Sequence, residues 1–274
     1  MFFFRFFKRA LLASFFINIF WAAHSQSFDL GLKGDVGTAY FLNSNLTKSG
    51  TEQGFRFSMS YNYGLHMSLN LSEGSCLELD ILPGTLTQSY RGAFSSNGVL
   101  PGSGMEYYSG ESYTSKITMS ITDIPFLYRY EKRRGTYFEG GITYEMISSV
   151  TYTASYSGTS SNHSLVVNEN VTTQYPKGDF LLTAGIGKDM QLGKGSRFYL
   201  NYGGRLAFGL MDLQGVDGHG QELFGASSLP LYHPNSGPAY YPEYHETRSF
   251  IVTLNAGIFY RFSSGDGRGG DMGY

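Results

Sequence analysis

Three sets of side chains in this sequence are of types that do chemistry. The first is a series of charged residues, Asp29, His66, Asp80, Arg129, Glu139, Glu145, Arg205 and Arg261. They occupy the polar positions of segments in which polar and apolar residues alternate. Charges on one face of an enclosed sheet are costly unless paired, so the reading is an interior network of ion pairs and hydrogen bonds. Arg129 with Glu139, Glu145 with Arg205, Asp29 with Arg261 and His66 with Asp80 fall at matching heights. The sharper alternative is a path for ions or protons. The second set is His163, His219, His233 and His245, of which the last three share one long connection with Asp217, Glu243 and Glu246. A metal site needs donors that converge, and this spacing matches no ligand pattern, so no metal ligands are expected. The third would be a rim nucleophile with a neighbouring base, as in barrels that act on lipids or peptides. Serine is spread throughout and no local motif marks one, so no catalytic residue and no cofactor are expected.

A fourth group suits recognition rather than reaction. The connection 213–247 holds Tyr232, Tyr240, Tyr241 and Tyr244 among Pro230, Pro234, Pro238 and Pro242. Tyrosine gives large contact area at modest entropic cost, and proline stiffens the backbone. A surface recognition loop and a lid packed over a barrel mouth are both consistent with this composition.

The elements that must position these groups follow from the periodicity. Phe55, Phe57, Met59, Tyr61, Tyr63, Leu65, Met67, Leu69 and Leu71 alternate with Arg56, Ser58, Ser60, Asn62, Gly64, His66, Ser68 and Asn70. A period of two residues is the signature of strand. Eight such segments recur, at about 27–41, 55–71, 76–90, 113–130, 136–152, 178–192, 197–212 and 248–263. Short polar connections (72–75, 131–135 and 193–196) alternate strictly with long ones (42–54, 91–112, 153–177 and 213–247). In an up-and-down barrel this puts every short turn at one end and every long loop at the other, the asymmetry of bacterial outer-membrane barrels.

Composition sets which face is greasy. Charged residues make up 15% of the 274, aromatics 16%, and there are 36 glycines. Soluble domains carry about 25% charge. The polar face is built of Gly, Ser, Thr and Asn, which suits the crowded inside of a small barrel. Tyr128, Tyr130, Phe138, Phe198, Tyr260 and Phe262 lie near segment ends, as an interfacial aromatic girdle requires. The net charge of −2 argues against nucleic-acid partners. The lone cysteine, Cys76, allows no internal disulfide.

At the N-terminus, Arg5, Lys8 and Arg9 precede an apolar run from Ala10 to Ala23, and Ala23-His24-Ser25 offers a cleavage site. That is the pattern of a signal peptide, since 14 apolar residues are too few for a spanning helix. The expected organisation is a signal peptide at 1–25, a barrel at 26–263 and a Gly-rich tail at 264–274.

Several stretches resemble the PorT-like family of outer-membrane β-barrel domains, close in architecture to small barrels of the OmpX and OmpA type. They are Leu77–Arg91, Ile121–Tyr130 with its Ile-Pro step, Phe180–Gly187, Tyr199–Leu213 and the closing Leu254–Phe262. The chain departs from the pattern in continuing past Phe262. The resemblance implies an integral bacterial outer-membrane protein and, through the family's namesake, a link to type IX protein secretion. The fold class expected is therefore all-β: an eight-stranded antiparallel up-and-down transmembrane β-barrel. It would be non-enzymatic and monomeric, with periplasmic termini, contacting outer-membrane lipid. Its loops would face extracellular or secretion-machinery proteins, in adhesion, binding or envelope integrity. One irregularity is expected. Ile117, Met119 and Ile121 are odd-numbered whereas Ile124, Phe126, Tyr128 and Tyr130 are even, and Pro125 removes a ladder donor, so a bulge is placed between Thr122 and Pro125.

Overall fold

A computed structural model describes residues 27–42, 53–72, 74–93, 98–99, 106–107, 112–132, 135–157, 164–213 and 246–262. Eight long strands form the ring: β1 Phe28–Leu42, β2 Ser60–Ser72, β3 Ser75–Ala93, β4 Ser112–Glu131, β5 Thr136–Ser157, β6 Gly178–Gln191, β7 Phe198–Gly209 and β8 Arg248–Phe262. Each pairs antiparallel with its neighbours in sequence. β8 closes on β1 over the full length of both, from Phe28 opposite Phe262 to Leu42 opposite Arg248. Closure satisfies every strand edge within the ring. Two short strands, Gln53–Arg56 beside β3 and Ser164–Asn170 beside β5, extend the sheet at the long-loop end.

Glycines make the short turns. Gly74, Gly135, Gly193 and Gly195 all have positive φ, so each of the three tight connections reverses through a conformation that side-chain-bearing residues avoid. The strands between them place even and odd residues on opposite faces. The outward face is apolar: Leu32, Tyr63 and Leu254 are 60%, 68% and 69% exposed. A contiguous exposed band of this kind is an interaction surface, here a belt around the whole ring.

The inward face has two layers. Toward the short turns it is polar and charged. Toward the long loops it is a hydrophobic core of Phe41, Leu86, Tyr90, Ile117, Met119, Ile121, Val150 and Tyr152, all buried. The outward face inverts with it. On β3, Leu77, Leu79 and Ile81 give way to Thr85, Thr87, Ser89 and Arg91. On β4, Tyr130, Tyr128, Phe126 and Ile124 give way to Thr122, Ser120, Thr118 and Lys116. The change falls at one level, because Pro83, Thr122 and Met146 are paired across the three strands.

This inversion corrects the expected bulge. Odd residues of β4 point inward from end to end, from Ile117 to Arg129. The residue types exchange faces while the backbone keeps its register: Leu79 faces Phe126 and Leu82 faces Asp123 on either side of Pro125. The one irregularity of the β4–β5 ladder lies on the other strand. Ser120 pairs with Ser149 and Ile121 with Ile147, so Ser148 is the extra residue, and its Oγ donates to the Ser120 carbonyl at 2.9 Å.

Candidate functional site

Among the described residues, chemistry-bearing side chains converge in the interior polar layer. At its short-turn end, Arg261 on β8 holds Asp29 on β1 in a two-pronged pair, Nε to Oδ1 at 2.8 Å and Nη2 to Oδ2 at 2.9 Å. Ser68 adds a hydrogen bond to Asp29 at 3.1 Å. The guanidinium lies 4.4 Å from the Tyr199 ring centroid, and Tyr199 stacks on Phe259. A planar fork matched to a carboxylate fixes both direction and distance.

Beside it, Arg129 on β4 donates to Asp189 on β6 and packs over Tyr137, 3.5 Å from the ring centroid. Asn201 donates to Asp189 at 2.7 Å and to the Tyr137 hydroxyl at 3.0 Å. Above this lies the densest cluster. Arg205 on β7 reaches across the lumen: its Nε donates to Glu139 Oε1 at 2.5 Å, its Nη1 to Asp80 at 3.3 Å and its Nη2 to Glu78. Lys33 on β1 donates to Glu78 at 2.5 Å and lies 3.4 Å from Asp80. His66 Nδ1 shares a hydrogen bond with Asp80 at 2.6 Å. His66, Glu78 and Asp80 bring three metal-binding atoms within 4.8 Å of one another. Lys33 and Arg205 already supply cations to Glu78 and Asp80 there.

Room for this layer comes from glycines on β6 and β7. A Cβ at Gly185 would lie 2.5 Å from Glu139 Oε1, and one at Gly187 would lie 2.3 Å from the Tyr137 hydroxyl. The GxG spacing of β6 therefore clears the space into which Glu139 and Tyr137 project from β5.

Asp29–Arg261 and His66–Asp80 come together as their spacing indicates. Arg129 and Glu139 face one another in register, yet each turns to another partner, Asp189 and Arg205. Glu145 makes no pair with Arg205; both its carboxylate oxygens are buried without a hydrogen bond. Lys33, Glu78, Asp189 and Asn201 belong to the network and were not singled out from the sequence, although each occupies an inward position of an alternating strand. Tyr232, Tyr240, Tyr241 and Tyr244 lie outside the described residues, as do His163, His219, His233 and His245, the segment 1–25 and the tail 264–274.

Residues 23–215 match a family model described as an outer membrane protein beta-barrel domain. No curated protein sequence matches the chain. Among solved structures, Neisserial surface protein A is 9% identical with a TM-score of 0.33, over 86% of this chain and 97% of that one. OprG from Pseudomonas aeruginosa is 10% identical with a TM-score of 0.38, over 87% and 97%. The outer membrane protease OmpT from Escherichia coli is 11% identical with a TM-score of 0.34, over 86% and 96%. Likeness at this level says nothing about activity.

Proposed function

From the premise that this chain belongs to the outer membrane protein beta-barrel domain family, we propose that it is a non-enzymatic surface-display barrel. Its long-loop end faces outward from the cell and binds another macromolecule. Short turns and both termini then lie in the periplasm. The observation that carries this reading is the stretch of β3, β4 and β5 above the inversion. About ten residues of each strand continue past the apolar belt, which is about 33 Å of strand. They form a ledge with Ser and Thr outside and a dry hydrophobic core inside. That core blocks the mouth, so a wide aqueous pore is disfavoured, as an eight-strand barrel leads one to expect. Asp80 and Phe259 hold His66 inside the ring.

Among the described residues the strand Ser164–Asn170 pairs with β5 alone, and an outer edge open there would suit strand addition by a protein partner. That edge also suits the second reading, a PorT-like component of type IX secretion, in which the partner is secretion machinery rather than a host or neighbouring surface. The test is labelling of intact cells with a membrane-impermeant maleimide, in a Cys76→Ser background, at Thr118→Cys, Thr151→Cys and Phe126→Cys. Labelling of the two ledge positions and protection of Phe126→Cys supports the outward ledge. Labelling of the ledge only after cell lysis would overturn it. A deletion strain that loses attachment but still secretes normally fits display; the reverse fits secretion.

A further inference from the structure

Between the charged layer and the hydrophobic core runs a belt of oxygen-bearing side chains with no cation of their own. Asn255 on β8 lies opposite Asp35 on β1, and Asp35 opposite Asn62 on β2. Across the ring, Asp123 on β4 lies opposite Glu145 on β5. The two halves are joined by a hydrogen bond of 2.8 Å from Asn62 Nδ2 to Asp123 Oδ2. It reaches across β3 at Gly84, where a Cβ would come within 2.4 Å of the Asn62 side chain.

The belt is short of partners. Asp35 Oδ1, Asn62 Oδ1, Asp123 Oδ1, both Glu145 oxygens and both Asn255 side-chain atoms are buried and make no hydrogen bond. Asn62 and Asn255, neither of them acidic, are each more than nine-tenths buried. Asp35, Asn62 and Asp123 line a common cavity of about 50 Å³, roomy enough for a few water-sized bodies. Arg205 lines it too, but all three of its guanidinium nitrogens are engaged by Glu139, Asp80 and Glu78. Buried carboxylate oxygens without a partner are expensive, and natural structures relieve them by protonation, by pairing or by metal coordination. Apart from Asn255 Nδ2, every unpartnered atom here is oxygen, the choice of hard cations. Calcium accepts six to eight such ligands in irregular geometry and keeps some of its waters.

We propose that this belt binds a hard divalent cation of the calcium class, held by Asp35, Asp123 and Asn62 with Glu145 and Asn255 beside them. The ion ties β1, β2 and β4 together below the hydrophobic core. The test uses the full mature chain refolded in detergent and freed of metal, melted with and without calcium. At a hundredfold excess over Kd, calcium raises the melting temperature by about 5–10 °C. Asp123→Asn and Glu145→Gln, which remove like charges, melt higher than wild type in chelator and lose the calcium shift. Terbium luminescence excited through tyrosine appears in the wild type and is displaced by calcium. The proposal is overturned if calcium and magnesium leave the melt unchanged while acidification alone raises it. It is equally overturned if the calcium shift survives in the Asp123→Asn/Glu145→Gln variant, which would place the ion in the loops.

Discussion

Replacing Arg205 by Met tests whether the barrel interior is as dry as its geometry implies. The substitution keeps most of the side-chain volume and removes the charge. It leaves Glu78, Asp80 and Glu139, all fully or nearly fully buried, with Lys33 and, 3.7 Å from Glu78, Arg129 as the remaining permanent cations. Breaking a buried charge cluster from one side costs about 3–5 kcal/mol, most of it from the carboxylates left uncompensated. In a chain of this size each kcal/mol lowers the melting temperature by about 2–4 °C, so the expected loss is about 6–20 °C. The assay is the temperature at which the folded, fast-migrating band on a heat-modifiable gel is lost, supported by a urea titration in detergent. Arg248→Met is the control, since its partner Glu246 is 63% exposed and such pairs contribute about 0–1 kcal/mol. Adding Glu139→Gln to Arg205→Met should recover part of the loss, a coupling expected of groups in contact. The reasoning fails if Arg205→Met melts no lower than Arg248→Met, or if the double variant simply sums two losses.

Other consequences follow from neighbouring features. Gly185→Ala places a methyl 2.5 Å from Glu139 Oε1 and 2.9 Å from the Gly204 carbonyl, so it should cost about 1–3 kcal/mol in the same urea titration. Ile117→Ala opens a void in the hydrophobic core and should cost about 2–5 kcal/mol. In planar bilayers wild-type protein should show no steady conductance, and Ile117→Ser with Met119→Ser should introduce a measurable leak. Cys76 is buried at the start of β3, so a thiol reagent should modify it slowly in the folded barrel and promptly in urea.

The ring was legible because alternation is a local property. Ser60 to Leu71 shows its two faces without any knowledge of its neighbours, although the expected strand from Phe55 is interrupted at 57–59, and the three glycine turns fix which strand follows which. Pairs between strands adjacent in the closed ring, such as Asp29 with Arg261, follow from register alone. Pairs across the lumen do not. Arg205 on β7 meets Glu78 and Asp80 on β3 because of side-chain reach and ring diameter, neither of which is written in spacing. The exchange of faces on β4 misled for a related reason. Parity reports which residues share a face, but which face is wet depends on what surrounds the strand, and that surrounding changes halfway along it. The bulge at Ser148 carries no sequence mark beyond one serine among several.

The level at which the faces exchange also divides the molecule thermally. Below it, unfolding moves apolar side chains from lipid into an unfolded chain that lipid or detergent still solvates. Above it, Phe41, Tyr90, Ile117, Met119 and Tyr152 would pass from a dry core into water, the event that gives soluble proteins their large heat-capacity change. One continuous sheet thus joins a half whose cohesion weakens on cooling, as hydrophobic cohesion in water does, to a half nearly indifferent to it. Chilling should loosen the protruding ledge first, and the ring in the lipid would hold its shape beneath it.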